Sequence, residues 1–218
     1  MSRQYVIVTR LLLHLRFTLC VLCMLVASAF VSGTSVGHIS AGWLEQYGFA
    51  PVHIPLWEWH RLLTSVFLTH GGVTFFVSLG MVAVCVGLAE MQFGTGRTTL
   101  LFVLSHVITL MVQSLLLALP LHHLDIRWGT ILATEYDVGP SAGYYGCLGA
   151  VCRQLPAKRR WVTHSVLTCL TLRLLVTSVL QWEGWKTSIS ADIAHLIAFF
   201  AGLWLAQALG RTLCKRAS

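Results

Sequence analysis

Charge is what this chain has least of: Asp, Glu, Lys and Arg make up 11% of its 218 residues, and only 8 of them are acidic. With 56% hydrophobic residues and a mean hydropathy of +0.74, that scarcity excludes an ordinary soluble domain, about a quarter of which is charged. The chain also lacks an internal repeat, which argues against a transporter built from inverted halves. It lacks a disulfide framework too. All seven cysteines, Cys20, Cys23, Cys85, Cys147, Cys152, Cys169 and Cys214, fall in apolar runs or near the expected cytoplasmic face. Cys20 and Cys23 have a zinc-like spacing but no second ligand pair, so they read as packing residues. His122, His123 and Asp125 have no separated fourth ligand either, and neither metal nor other cofactor is expected.

What is present is a set of six apolar runs, at about 17–36, 73–90, 99–119, 139–152, 162–182 and 190–209. A helix needs roughly 20 apolar residues to cross a bilayer. The expectation is therefore an all-α, polytopic membrane protein: a six-transmembrane-helix bundle, with residues 1–218 forming a single integral-membrane domain. The net charge of +7 does not point to nucleic acid, because the basic residues are sorted by loop. Arg3, Arg10, Arg16, Arg97, Arg153, Lys158, Arg159, Arg160, Arg211, Lys215 and Arg216 all fall on one side of this topology. Arg61, Arg127 and Lys186 occupy the alternate loops, and Arg173 lies within the fifth span. The positive-inside rule then predicts a multi-pass protein of the cell membrane with both termini cytoplasmic. A basic start followed by Ala27, Ser28 and Ala29 also resembles a cleavable signal peptide, but the apolar run continues through Phe30 and Val31, and a retained span keeps the count even. The long loop at about 37–71 carries Trp43, Tyr47, Trp57 and Trp59, a composition suited to the headgroup layer.

Two short groups break the apolar pattern, GPSAGYYG at 139–146 and DIAHLIAFFAG at 192–202. A polar group withdrawn from water costs several kcal/mol or so unless it is paired, so Ser141 and His195 are best explained as partners. A Ser/His pair is the minimum apparatus for acyl transfer. The expectation is that the two meet within hydrogen-bonding reach in a wet pocket open toward the outer leaflet. Gly139, Gly143, Gly146 and Gly149 would let neighbouring helices approach the fourth span closely.

In this order and on these spans, the motifs resemble the rhomboid family of six-span intramembrane serine proteases, over about residues 57–205. Trp59 and Arg61 match a Trp-Arg element of the first outer loop. Glu90, followed by Gly94, Gly96 and Arg97, matches the end of the second span. Gly139, Pro140, Ser141 and Ala142 resemble the G-x-S-G nucleophile motif, with Ala142 in place of its last glycine, and Tyr145 is the aromatic four residues on. Ala194, His195 and Gly202 match the Ala-His and glycine of the sixth span. The resemblance implies a catalytic Ser141/His195 dyad, no cofactor, and substrates that are single-pass or other transmembrane proteins in the lipid bilayer. Where active rhomboids carry a histidine and an asparagine that help hold the oxyanion, this chain has Thr74 and Ser78. His70, Thr74 and Ser78 form an i, i+4, i+8 stripe that would present substitute donors if the helix includes His70. The alternative is a non-catalytic, client-binding relative, as derlins and inactive rhomboids are.

Within that reading His195 takes the Ser141 proton, Tyr145 packs on the imidazole, and backbone N–H groups after Pro140 point at the oxyanion. Asp192 reads as a first-turn acid opposing the helix dipole near Ser190 rather than a third triad member. Glu90, at a helix C-terminus, requires a partner, with Arg97 or the amides opening the third span the candidates. Arg173 must face the protein interior or a water-filled crevice.

Overall fold

The structure, a computed structural model, describes residues 14–182 and 188–214. Arg3, Arg10, Lys186, Lys215 and Arg216 of the charge argument lie outside them. The described chain is helical without strands, and its longer helices are α1 (Arg16–Ser32), α2 (Val73–Phe93), α3 (Thr95–His123), α4 (Ser141–Arg153), α5 (Arg160–Trp182) and α6 (Ile189–Cys214). Of these, α2, α3, α5 and α6 are long and apolar enough to cross a membrane. At 17 and 13 residues, α1 and α4 are shorter than a full span needs.

The boundaries of α1 and α4 differ from the apolar runs for local reasons. The first run extends to residue 36, but α1 stops at Ser32 because Gly33 turns left-handed at φ 74° and Ser35 N–H bonds back to Ala29 O at 3.2 Å. The fourth run opens at 139, yet α4 begins only at Ser141. Gly139 has φ +122°, a conformation that a side chain disfavours, and Pro140 takes the cap. Gly94, at φ 78°, makes the turn from α2 to α3.

The core is built around α4, which packs between α3 and α6. A Cβ on Gly202 of α6 would sit 1.9 Å from the Gly146 carbonyl oxygen, and one on Gly149 would sit 2.2 Å from that of Phe199. The two backbones therefore touch, which only small residues permit. Phe199 is fully buried beneath this contact, and Leu101, Phe102, Tyr144 and Cys147 fill the space toward α3.

The first outer loop folds as short helical turns clamped onto α3 and onto the approach to α4. Arg61 is 7% exposed; its guanidinium donates to the Gly48 carbonyl at 3.0 Å and pairs with Glu58. His106 of α3 donates from Nε2 to the Leu62 carbonyl at 2.8 Å. Phe49 and Asp137 exchange both backbone hydrogen bonds, and Gly139 N–H bonds Ser65 O at 2.9 Å. Trp59 stands outside this clamp, exposed and edge-on to Trp57.

Glu90 corrects an expectation. Its carboxylate does not pair with Arg97 or with the backbone amides opening α3. It accepts from Phe17 N–H (2.9 Å), Thr18 N–H (2.8 Å) and the Thr18 hydroxyl (2.7 Å) at the start of α1, and from the Thr95 hydroxyl (2.7 Å). The physical reason is that α1 opens with N–H groups outside its ladder and, among the described residues, no side-chain cap of its own, so a buried anion from α2 supplies one.

Candidate active site

A cavity of about 250 Å³ opens among α2, α4, α5 and α6, and Ser141 and His195 both line it. Ser141 is the first residue of α4. The first intrahelical bond runs from Tyr144 N–H to Pro140 O at 3.0 Å, so the N–H groups of Ser141, Ala142 and Gly143 precede the ladder. Such free donors at a helix start suit a developing oxyanion. His195 lies one turn and a half into α6 and is 5% exposed, with Tyr145 against its ring at a centroid distance of 4.4 Å and a 39° tilt. Ser141 and Tyr145 are i, i+4 on α4, so one helix face carries both the hydroxyl and the ring that orients the imidazole.

Among the described residues no hydrogen bond joins Ser141 to His195, which corrects the expectation of direct bonding reach. Catalytic contacts are often long in a substrate-free site and tighten when substrate binds.

The second-span residues reach the same cavity from a different local structure than the stripe supposed. Here α2 begins at Val73, so His70 is not on the helix but in the turn before it. That turn is tied to the outer loop through Ile39 N–H to His70 O (3.2 Å) and Gly72 N–H to Gly37 O (3.1 Å). His70, Thr74 and Ser78 nevertheless all line the cavity. Thr74 directs its hydroxyl proton to the Gly71 carbonyl at 2.6 Å, in the turn that precedes its helix. Burial and the neighbouring His38 hold the His70 ring below its ordinary pKa.

Several charged groups at the site were not assigned from sequence. Asp137, four residues before Ser141, lines the cavity, and burial with the nearby Glu135 pushes its carboxyl up to about 6. An acid between two apolar segments was the available signal. Arg173 also lines the cavity, and its Nε lies 2.7 Å from Asp192 Oδ1. Asp192 is thus an ion-pair partner rather than merely a first-turn acid, because a cation in mid-span draws the nearest buried carboxylate. The same Oδ1 is 3.7 Å from His195 Nδ1. Ser190 accepts from the Gln113 amide at 2.7 Å, fixing the start of α6 to α3.

Among the described residues no His, Cys, Asp and Glu cluster could hold a metal ion. His122 instead approaches the Thr130 hydroxyl at 3.3 Å. Compared with known protein families, the chain matches the model of the rhomboid domain over residues 56–212. No curated protein matches it.

Proposed function

Since the chain belongs to the rhomboid family, we propose that it is an intramembrane serine endopeptidase that cuts transmembrane segments of other proteins, with Ser141 as nucleophile and His195 as general base. The observation that carries this reading is the shared cavity, with the imidazole seated on Tyr145 and the hydroxyl at the open start of α4. As the Ser141 Oγ attacks a peptide carbonyl, its proton passes to the imidazole, which returns it to the departing amine. The oxyanion forms beside the free N–H groups of α4, with His70 and Ser78 as further donors. Gly139 shapes the entry to α4. Arg61, Glu90, Gly94 and Gly202 support the fold around the site, whereas the exposed Trp59 does not take the structural part that the resemblance implies.

The same reading treats residues 1–218 as one integral-membrane domain of six spans in the cell membrane, with cytoplasmic termini. It takes α1 and the short α4 as spans supported by the helices beside them. Its partners are the lipid bilayer and single-pass or other transmembrane substrates.

A second reading, a client-binding member without proteolysis, draws support from Thr74. Its hydroxyl proton goes to its own backbone, which leaves one oxyanion donor fewer than the family pattern. Loss of such a donor typically costs about 3 kcal/mol of transition-state stabilisation.

Labelling of purified protein with a fluorophosphonate separates the two readings. The protease reading expects labelling of wild type, none of Ser141→Ala, and a rate about 10²–10⁴-fold lower for His195→Ala. Equal labelling of all three, or of none, rules it out.

A further inference from the structure

We propose that Asp192 is a positioning residue for His195, held in place by Arg173, so that this site works as a four-membered chain, Arg173–Asp192–His195–Ser141, rather than as a bare dyad. The inference rests on the protease reading for its catalytic meaning, but the geometry on which it is built is independent of that reading.

His195 Nδ1 is buried and, among the described residues, has no hydrogen-bond partner. A ring nitrogen sealed from water needs somewhere to send a proton or a lone pair. Asp192 Oδ1 is 3.7 Å away, one turn earlier on the same helix. That gap is longer than a hydrogen bond, so the carboxylate acts on Nδ1 through its charge rather than through a direct bond. The carboxylate is 2% exposed, and its position is set from the other side by Arg173 Nε at 2.7 Å. Arg173 is itself 53% exposed and lines the cavity. A buried carboxylate beside Nδ1 selects the tautomer that carries its proton there. Nε2 is then left with its lone pair free for the Ser141 hydroxyl.

The step balances without any proton moving to Asp192. The Oγ–H bond of Ser141 breaks as Oγ bonds to the substrate carbonyl carbon, and that proton goes to His195 Nε2. The imidazolium so formed is flanked by the Asp192 carboxylate. The proton then leaves with the amine as the C–N bond breaks, and Asp192 stays ionised throughout. Arg173 keeps the carboxylate charged in a dry setting, which an isolated acid would not tolerate.

The test reads the ring directly. Protein labelled with ¹⁵N-histidine is examined in micelles, His195 being assigned by difference from His195→Gln, and the ring ¹⁵N shifts report the tautomer. Wild type is expected to hold the Nδ1–H form, and Asp192→Ala to fall to the mixture of a free imidazole, with Asp192→Glu restoring part of the preference. Arg173→Gln, a change at a half-exposed side chain, is expected to shift the ring in the same direction by less, and it serves if Asp192→Ala does not fold. On a cleavable transmembrane substrate, Asp192→Ala should lower kcat by about ten- to a hundredfold with KM little changed, less than the loss of a directly bonded triad acid because the gap is 3.7 Å. An unchanged tautomer in both Asp192→Ala and Arg173→Gln overturns the proposal. Failure of fluorophosphonate labelling in wild type, with the tautomer shift intact, counts against the protease reading alone.

Discussion

Two helices of similar length and apolarity line the cavity, and they are packed in opposite ways. In α6, 61% of the apolar window is buried, whereas in α5 the share is 6%. Lipid tails are as apolar as leucine, so apolarity alone drives no helix association in a bilayer, and the closeness of backbones decides it. The inner face of α6 is made of small residues, Ala194, Ala198, Ala201, Gly202 and Ala206, all buried. The outer face of α5 presents Leu172, Leu175, Val176 and Val179, all exposed. The first helix holds its reactive group by locking into α4, while the second lends one cation to a cavity and turns the rest of its surface outward.

The largest way to break this contrast is at the lock. Gly202→Leu would place a side chain where the Gly146 carbonyl oxygen already lies 1.9 Å from the Cβ position. Overpacking against side chains costs about 1–3 kcal/mol, and backbone cannot move aside as a side chain does, so the loss should exceed about 3 kcal/mol. Thermal unfolding in detergent is expected to show a fall of many degrees or no folded protein. A wild-type Tm for this variant would mean that α4 and α6 are not in contact.

Next in size is Glu90→Ala. It leaves the Phe17 and Thr18 N–H groups at the start of α1 without their acceptor, and each orphaned donor costs about 1–3 kcal/mol. Water reaching the half-buried Phe17 end offsets part of this, so a net loss of about 2–3 kcal/mol is expected. Protease cleavage near residue 16 should become faster than cleavage elsewhere. Uniform destabilisation without exposure of α1 would contradict the capping role.

A smaller effect, with a defined sign, belongs to Asp137 at the cavity. Its carboxyl titrates at about 6 against an ordinary 3.8, so between those values the folded protein keeps a proton that the unfolded chain has lost. Stability from this group therefore falls as pH rises from about 3.8 to 6 and stays lowered above that. Asp137→Asn should raise Tm at pH 7–8, leave it little changed at pH 4, and flatten the profile between. A variant whose Tm follows wild type across that range would show that the acid is not buried uncompensated.

The helical class and most of the helix positions were legible because they rest on apolar run length, which needs no tertiary information. Ser141 and His195 stood out in the sequence as two polar residues placed where lipid would penalise them; both line one cavity, with Tyr145 against the imidazole, and among the described residues no hydrogen bond joins them. Two pairings were not legible because the partner came from a distant segment, and the local structure at His70 was not because it depends on where α2 starts. Glu90 caps α1 across 72 residues of sequence. Arg173 found Asp192 on the next helix, although a search by span alone offered no acid beside it. His70 joins the cavity from a turn, since α2 starts at Val73 and the stripe of residues four apart breaks there. Helical spacing predicts neighbours within one element well, and it is silent on which buried charge another element will satisfy.

The smallest predicted effect, that of Leu175→Ala on α5, sharpens the opening contrast when it is set beside the same chemical change on α6. Leu205 on α6 is 6% exposed and packs in the central cluster with Val86, Leu101 and Cys147. Leu175 on α5 is 59% exposed. Leu205→Ala removes contacts on all sides and leaves a void, a change that costs about 2–5 kcal/mol in well-packed interiors. Leu175→Ala removes mainly contacts with the surrounding lipid or detergent, which refills the space, so its cost should stay within about 0.5 kcal/mol. Paired unfolding measurements in one detergent give the ratio directly, since the transferred atoms are the same. Equal losses would mean that α5 is packed as tightly as α6, and the cavity would then lack its soft wall.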